Sequence, residues 1–265
     1  MYALKKLLDF YIQSSIHVGL AVFSLVYITA FENDFYKHIN YSCCVFFGTI
    51  LGYNFLKYFD IFRTAKVHSL KYYGILIISI LAALGFYYFF IQMINAVKIQ
   101  LIIGGLMVLI YPFFRKQGII KMFWVSFVIA YLTAFVHVNA PPLNHGIIAF
   151  EFLKRFVFIN ALMIPFEIYD SQHDDKSLNT LPQKFGIKTA KKTGYILLLL
   201  FIFLDVLNFH LNNNIRIQYL FADIFIVLFT GLAIYFSSVK NNQYYTSFWV
   251  ESIPILWLVL IMSTQ

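Results

Sequence analysis

Four carboxylates crowd one short stretch of this chain. Glu167, Asp170, Asp174 and Asp175 are four of its twelve acidic residues, gathered into nine positions directly after an apolar run. At helical spacing Glu167, Asp170 and Asp174 stand at i, i+3 and i+7 and project from one face. Carboxylates held together at the end of a membrane helix repel one another unless something cationic binds them. Oxygen ligands of this kind suit Mg²⁺, and such a metal can bridge to the oxygens of a phosphorylated ligand. Lys176, Lys184, Lys188, Lys191 and Lys192 follow closely and could neutralise the remaining phosphate charge, which suits a diphosphate better than a bare cation. The competing reading is a solvated loop whose charges only face water.

The elements that must position these residues are membrane helices. The 265-residue chain is 61% hydrophobic, 20% aromatic and 12% charged, against roughly 25% charged in a soluble globular protein. A spanning helix needs about 20 mostly apolar residues. Nine runs qualify, at 12–31, 40–59, 71–91, 97–114, 118–138, 147–168, 193–211, 218–238 and 243–262. The expected fold class is therefore an all-α integral membrane protein, one bundle of about nine transmembrane helices formed as a single domain over residues 1–265. The apolar stretches are continuous rather than alternating, which argues against a β-barrel. Residues 1–10 read as a short amphipathic lead-in rather than a cleaved signal peptide.

Fifteen Lys and Arg residues fall on the side of the N-terminus and three on the other, with Lys154 and Arg155 inside the sixth span. This bias predicts a cytoplasmic N-terminus and a multi-pass protein of a bacterial inner membrane. The net charge of +8 then reports orientation, with no basic run long enough for nucleic acid. Adjacent Cys43 and Cys44 cannot readily pair within a helix and are expected to pack. Within the apolar spans, Glu151 is spaced for a helix pair with Lys154 or Arg155. Asp205 and Asp223 have no assigned role, Glu251 lies beside a cavity or at the interface, and the histidines show no metal-ligand spacing.

Asp170-x-x-x-Asp174, followed by Thr180, Leu181, Pro182 and Gly186, resembles the second aspartate-rich motif of the UbiA family of intramembrane prenyltransferases. The resemblance covers about twenty residues in motif and nearly the whole chain in architecture. It implies two large polar loops after the second and sixth spans, Mg²⁺ as cofactor, an isoprenyl diphosphate as donor and a hydrophobic acceptor reached from the lipid bilayer. It makes Asp170 and Asp174 the catalytic and metal-binding pair, with Glu167 as a further metal ligand and Asp175 a possible one.

The first motif of that family, NDxxDxxxD, departs here. Asn54 matches its asparagine, but Phe55, Tyr58 and Phe62 stand where the aspartates belong. Asp60 is the nearby carboxylate, two residues on and about 200° around the helix; it serves either as a diphosphate-side ligand or as a partner of Arg63. Asn54, Lys57, Arg63 and Lys66 on this side, with Lys184 and Lys188 on the other, are the expected diphosphate contacts. Three readings stay open: a prenyltransferase, a catalytically silent relative that binds the same ligand, and a cation-coupled transporter, which would need matched interrupted helices.

Overall fold

The computed structural model describes residues 2–32, 39–63, 70–134, 145–211 and 217–263. Arg63 and Asp60 lie in a helix but their side chains are outside the described residues, as is Lys66 altogether. Helices α1 (Tyr2–Gln13) and α2 (Ile16–Glu32) are followed by α3 (Ile39–Arg63), α4 (Leu70–Ile91), α5 (Asn95–Phe114), α6 (Ile119–Ala134) and α7 (His145–Asp170). A 3₁₀ turn (Lys176–Leu178) leads to the short α8 (Leu181–Phe185), then α9 (Ile187–Leu211), α10 (Ile217–Phe236), a π-helical segment (Tyr245–Val250) and α11 (Ile253–Ser263).

Each of the nine predicted spans coincides with a helix or a broken pair. Among the described residues, six spans are long and apolar enough to cross a bilayer, and α1 with α2, bent by 58°, make a seventh. Helix α6 is apolar but short, and α7 is long but carries Glu151, Lys154, Arg155, Glu167 and Asp170. Two details differ from expectation. The first span is broken at Ser14 and Ser15, where Ser15 adopts φ +62°, and Asn54 Nδ2 secures the break by donating to Ser14 O at 3.1 Å. The second is α7: a proline inside a helix ordinarily kinks or ends it, yet α7 runs through Pro165 to Asp170.

Lipid is as apolar as leucine, so helices in a membrane associate through close packing and internal polar contacts. Leu25, Phe158, Phe201, Ile226 and the wholly buried Trp257 join α2, α7, α9, α10 and α11. A second cluster, Met122, Ile164, Ile168, Ala190 and Ile234, lies under the acidic end of α7. Leu81 and Leu84 of α4 and Leu106 and Leu109 of α5 turn outward, more than half exposed, as lipid-facing positions do. Cys44 is buried and Cys43 half-buried, both free, so they pack.

The intrahelical pairing expected for Glu151 is replaced by a network between helices. Lys154 Nζ lies 2.8 Å from Asp205 Oδ1, 3.1 Å from Glu32 Oε2 and 3.3 Å from Asp223 Oδ2. Glu151 Oε1 instead accepts from Asn208 Nδ2 at 3.0 Å, and Arg155 Nη2 donates to Thr29 Oγ1 at 2.9 Å. The reason is geometric: α7 is the inner helix, so its charged side chains reach acids on α2, α9 and α10 rather than folding back on their own turn. Asp205 and Asp223, unassigned by sequence, are two of those acids.

Candidate active site

Helix α7 delivers Glu167 and Asp170 at its end, and a tight turn brings Asp174 back over them. The N–H groups of His173 and Asp174 both donate to Asp170 O, each at 2.8 Å. Asp174 thus sits just beyond the helix rather than on its last turn. The residue that answers the acidic face is Lys121, in the first turn of α6. Its ammonium lies 3.2 Å from Glu167 Oε1 and 3.3 Å from Asp174 Oδ2, aligned as a hydrogen bond to Asp174. Glu167 is 1% exposed and, among the described residues, its carboxylate meets no donor besides the Lys121 ammonium. Asp170 is half-buried and, among the described residues, has no ion-pair partner. Asp175 points to solvent, where the Ser177 N–H at 2.9 Å holds its carboxyl below the usual carboxylate range.

The loop that follows is fixed from inside. Gln183 Oε1 accepts from the Thr180 N–H at 3.1 Å, while its Nε2 reaches the carbonyls of Ser171, Asp174 and Asp175 at 3.4, 3.3 and 3.4 Å. Pro182 stands near the start of α8, where its fixed φ suits a first turn, and the motif glycine, Gly186, closes α8 at φ +82°. Gly118, just before α6, carries φ +49°, and a Cβ there would stand 2.3 Å from Leu178 O and 2.6 Å from Asn179 O. Gly118→Ala therefore combines an unfavourable φ with a clash against backbone. We expect it to separate α6, with Lys121, from the acidic loop, at about 2–4 kcal/mol, read as a lowered Tm in detergent.

The second wall is α3. Lys57 is exposed, and Tyr53 and Glu251 are half-buried. Lys57 Nζ lies 3.4 Å from Ser15 Oγ and 5.6 Å from the Tyr53 ring centroid, and Glu251 is the carboxylate that acts on it electrostatically. Tyr111 of α5 joins the two walls: the charges bearing on its hydroxyl are Lys121, Arg115, Glu167 and Asp170, and it bears in turn on Tyr53.

Of the expected diphosphate contacts, then, Lys57 is exposed on α3 beside Ser15, Tyr53 and Glu251. Asn54 is 1% exposed, and its amide donates to Ser14 O and to Ser79 Oγ at 3.0 Å, which gives it a tethering role at the α1–α2 break. Tyr58 donates to Gln13 O at 2.8 Å and Phe55 is 41% exposed, so the missing aspartates have left apolar and structural residues. Lys184 and Lys188 are exposed, with Lys184 over the Phe185 ring, and neither pairs with the acidic face among the described residues. Asp60, Arg63 and Lys66 offer no described side chain. Sequence reasoning passed over Lys121 and Tyr111; the available signal was an ionisable residue at the start of an apolar span.

The donor set can be tested against the metal that the resemblance implies. It is right in kind, being carboxylate oxygen only. Among the described residues no three carboxylate, imidazole or thiol groups converge on one point, so no all-protein cage exists. Mg²⁺ commonly takes one or two carboxylates and completes its shell with water and substrate phosphate. Asp170, without an ion-pair partner among the described residues, and Asp174, engaged through one oxygen, meet that smaller demand, with Glu167 behind them beside Lys121.

No protein-family model matches the sequence, and no curated protein matches it. Two solved structures are similar to it. A digeranylgeranylglyceryl phosphate synthase superposes with a TM-score of 0.61 at 18% identity, over 98% of both chains. A UbiA homolog from Aeropyrum pernix K1 superposes with a TM-score of 0.68 at 11% identity, over 94% of this chain and 98% of that one. At such identities the likeness lies in the fold. The fold of this chain is that of the UbiA family.

Proposed function

We propose that the protein binds an isoprenyl diphosphate at the Asp170–Asp174 end of its bundle and transfers the prenyl group to a hydrophobic acceptor within the membrane. The observation that carries this reading is Asp170: a half-buried carboxylate with no ion-pair partner among the described residues, at the end of an inner helix in a bundle with the UbiA fold. Asp170 and Asp174 would hold Mg²⁺, which when bound supplies positive charge for the leaving diphosphate. Lys121 stands beside them and is placed to take phosphate oxygens, as is Lys57 on the facing wall. Arg63, Lys66, Lys184 and Lys188 are proposed as outer contacts that raise the local positive potential. As the allylic C–O bond breaks, the electron pair leaves with the diphosphate, and the cation is met by the acceptor's nucleophile, which then loses a proton. Tyr53 and Tyr111 offer ring faces near that path, while the surrounding apolar helices exclude water. The orientation of the site towards the cytoplasm rests on the distribution of Lys and Arg.

One observation favours a second reading, a relative that binds without turnover. Phe55 and Tyr58 stand at the positions where the resembled first motif has aspartates, so half of the acidic frame is gone. Both readings are separated by farnesyl diphosphate binding and transfer with purified protein. Mg²⁺-dependent binding that is lost in Asp170→Ala supports the site, and transfer to a lipid acceptor supports the enzyme. Binding that survives in chelator and in an Asp170→Ala/Asp174→Ala variant would overturn the site, whereas binding with no transfer favours the silent relative.

A further inference from the structure

Helix α1 is two-faced. Leu4, Leu7, Leu8 and Tyr11 recur at i, i+3, i+4 and i+7 and fall within an arc of about 100°. Lys5, Lys6, Asp9 and Gln13 fill an arc of similar width on the opposite side. With 12 residues the helix is about 18 Å long, too short to cross a hydrocarbon core of about 30 Å. The 17 residues of α2 reach about 26 Å without it. The 58° bend between the two turns α1 off the line of its span and towards the plane of the bilayer.

That angle is held from two sides. From α3, Asn54 and Tyr58 donate to Ser14 O and Gln13 O, and Lys57 reaches Ser15 Oγ. On the other side the Tyr244 hydroxyl donates to Asp9 Oδ1, and Tyr11 Oη lies 2.9 Å from His17 Nδ1. So fixed, α1 leaves its leucines uncovered: Leu4 is 72% and Leu7 67% exposed, beside the exposed Lys5 and Lys6. Phe10 seats the helix against α4, where a Cβ on Gly74 would stand 2.8 Å from its ring. Tyr73 and Ile77 on that part of α4 are themselves more than half exposed, so α1 joins a face already turned to lipid. The boundary between acyl chains and phosphates takes leucines and lysines together. A second copy packed on the leucines would instead bring its own Lys5 and Lys6 alongside these, like charge against like.

We propose that α1 is a surface helix of the headgroup layer, with Leu4 and Leu7 among the acyl chains and Lys5 and Lys6 towards lipid phosphates. Its elbow is the one that Lys57 contacts, so the anchor and the α3 wall share a fixed point. Leu4→Trp, Leu7→Trp and Lys6→Trp, made singly in the full-length protein in nanodiscs, read where each position stands, the three native tryptophans being common to all. Each replaces an exposed side chain, so the fold is not at stake. Leu4→Trp and Leu7→Trp should be quenched by brominated phosphatidylcholine and shielded from acrylamide, and Lys6→Trp should show the reverse. More phosphatidylglycerol in the disc should strengthen lipid quenching of Leu4→Trp, and adding Lys5→Gln with Lys6→Gln should abolish that response. Equal acrylamide quenching of Leu4→Trp and Lys6→Trp would place α1 in water and overturn the proposal. Protection of Leu4→Trp from both quenchers would overturn it in favour of a protein contact. A phosphatidylglycerol response that survives the loss of both lysines would overturn the phosphate contact.

Discussion

Lys154→Met is expected to yield little folded protein. The variant removes the ammonium that Asp205, Glu32 and Asp223 share at 2.8, 3.1 and 3.3 Å and replaces it with an apolar side chain of similar length. Removing one partner of a buried ionic cluster costs about 3–5 kcal/mol, because the remaining charges stay buried. Total stabilities run to roughly 5–15 kcal/mol, so the loss takes a large share. The measurement is the yield of monodisperse protein on size exclusion, with Tm where enough is recovered. Two compensations distinguish a charge effect from lost packing. Adding Asp205→Asn to Lys154→Met should restore folding, since the amide needs no counter-charge, and mild acidification should help the single variant by supplying protons in place of the ammonium. If neither recovers the protein, shape rather than charge holds the cluster together. Lys188→Met is the control, because that side chain is exposed.

Much of the architecture was legible because its signal is local. Continuous apolar runs located the spans, and the composition of residues 167–186 located the acidic turn with its Thr180, Pro182 and Gly186 punctuation. What escaped was which charge meets which. Lys121 reaches Asp174 across 53 positions, and Lys154 reaches Glu32, Asp205 and Asp223 across 122, 51 and 69. Periodicity fixes the face on which a residue stands, but not the helix that faces it. The spacing of Glu151 to Lys154 and Arg155 therefore suggested a local pair, and inter-helix packing overrode it. The break at Ser14–Ser15 escaped for the opposite reason: the flanking residues are apolar enough to read as one span, while the side chain that secures the break, Asn54, comes from α3.

Lys121→Met tests whether the acidic face is a cation site at all. In chelator the variant should be less stable than wild type, because Glu167, 1% exposed, loses the ammonium at 3.2 Å and must hold its charge unaided or take up a proton. The loss is expected at about 2–3 kcal/mol, below the Lys154 case, since Asp174 keeps 29% of its side chain in reach of solvent and water screens it. Mg²⁺ should then act differently on the two proteins. In wild type the ammonium already stands between Glu167 and Asp174, so the metal alone should shift Tm little. In Lys121→Met the three carboxylates of the face are open to it. A ligand that binds only the folded state stabilises by about 2.7 kcal/mol at a hundredfold excess over Kd, enough to return the variant to the wild-type Tm. Recovery with Mg²⁺ but not with sodium at equal ionic strength would make the acidic face a divalent-cation site, held by one or two of its carboxylates, that Lys121 occupies by proxy. A variant indifferent to Mg²⁺ would show that these carboxylates are arranged around the lysine alone, and the diphosphate would then have to be held by ammonium groups.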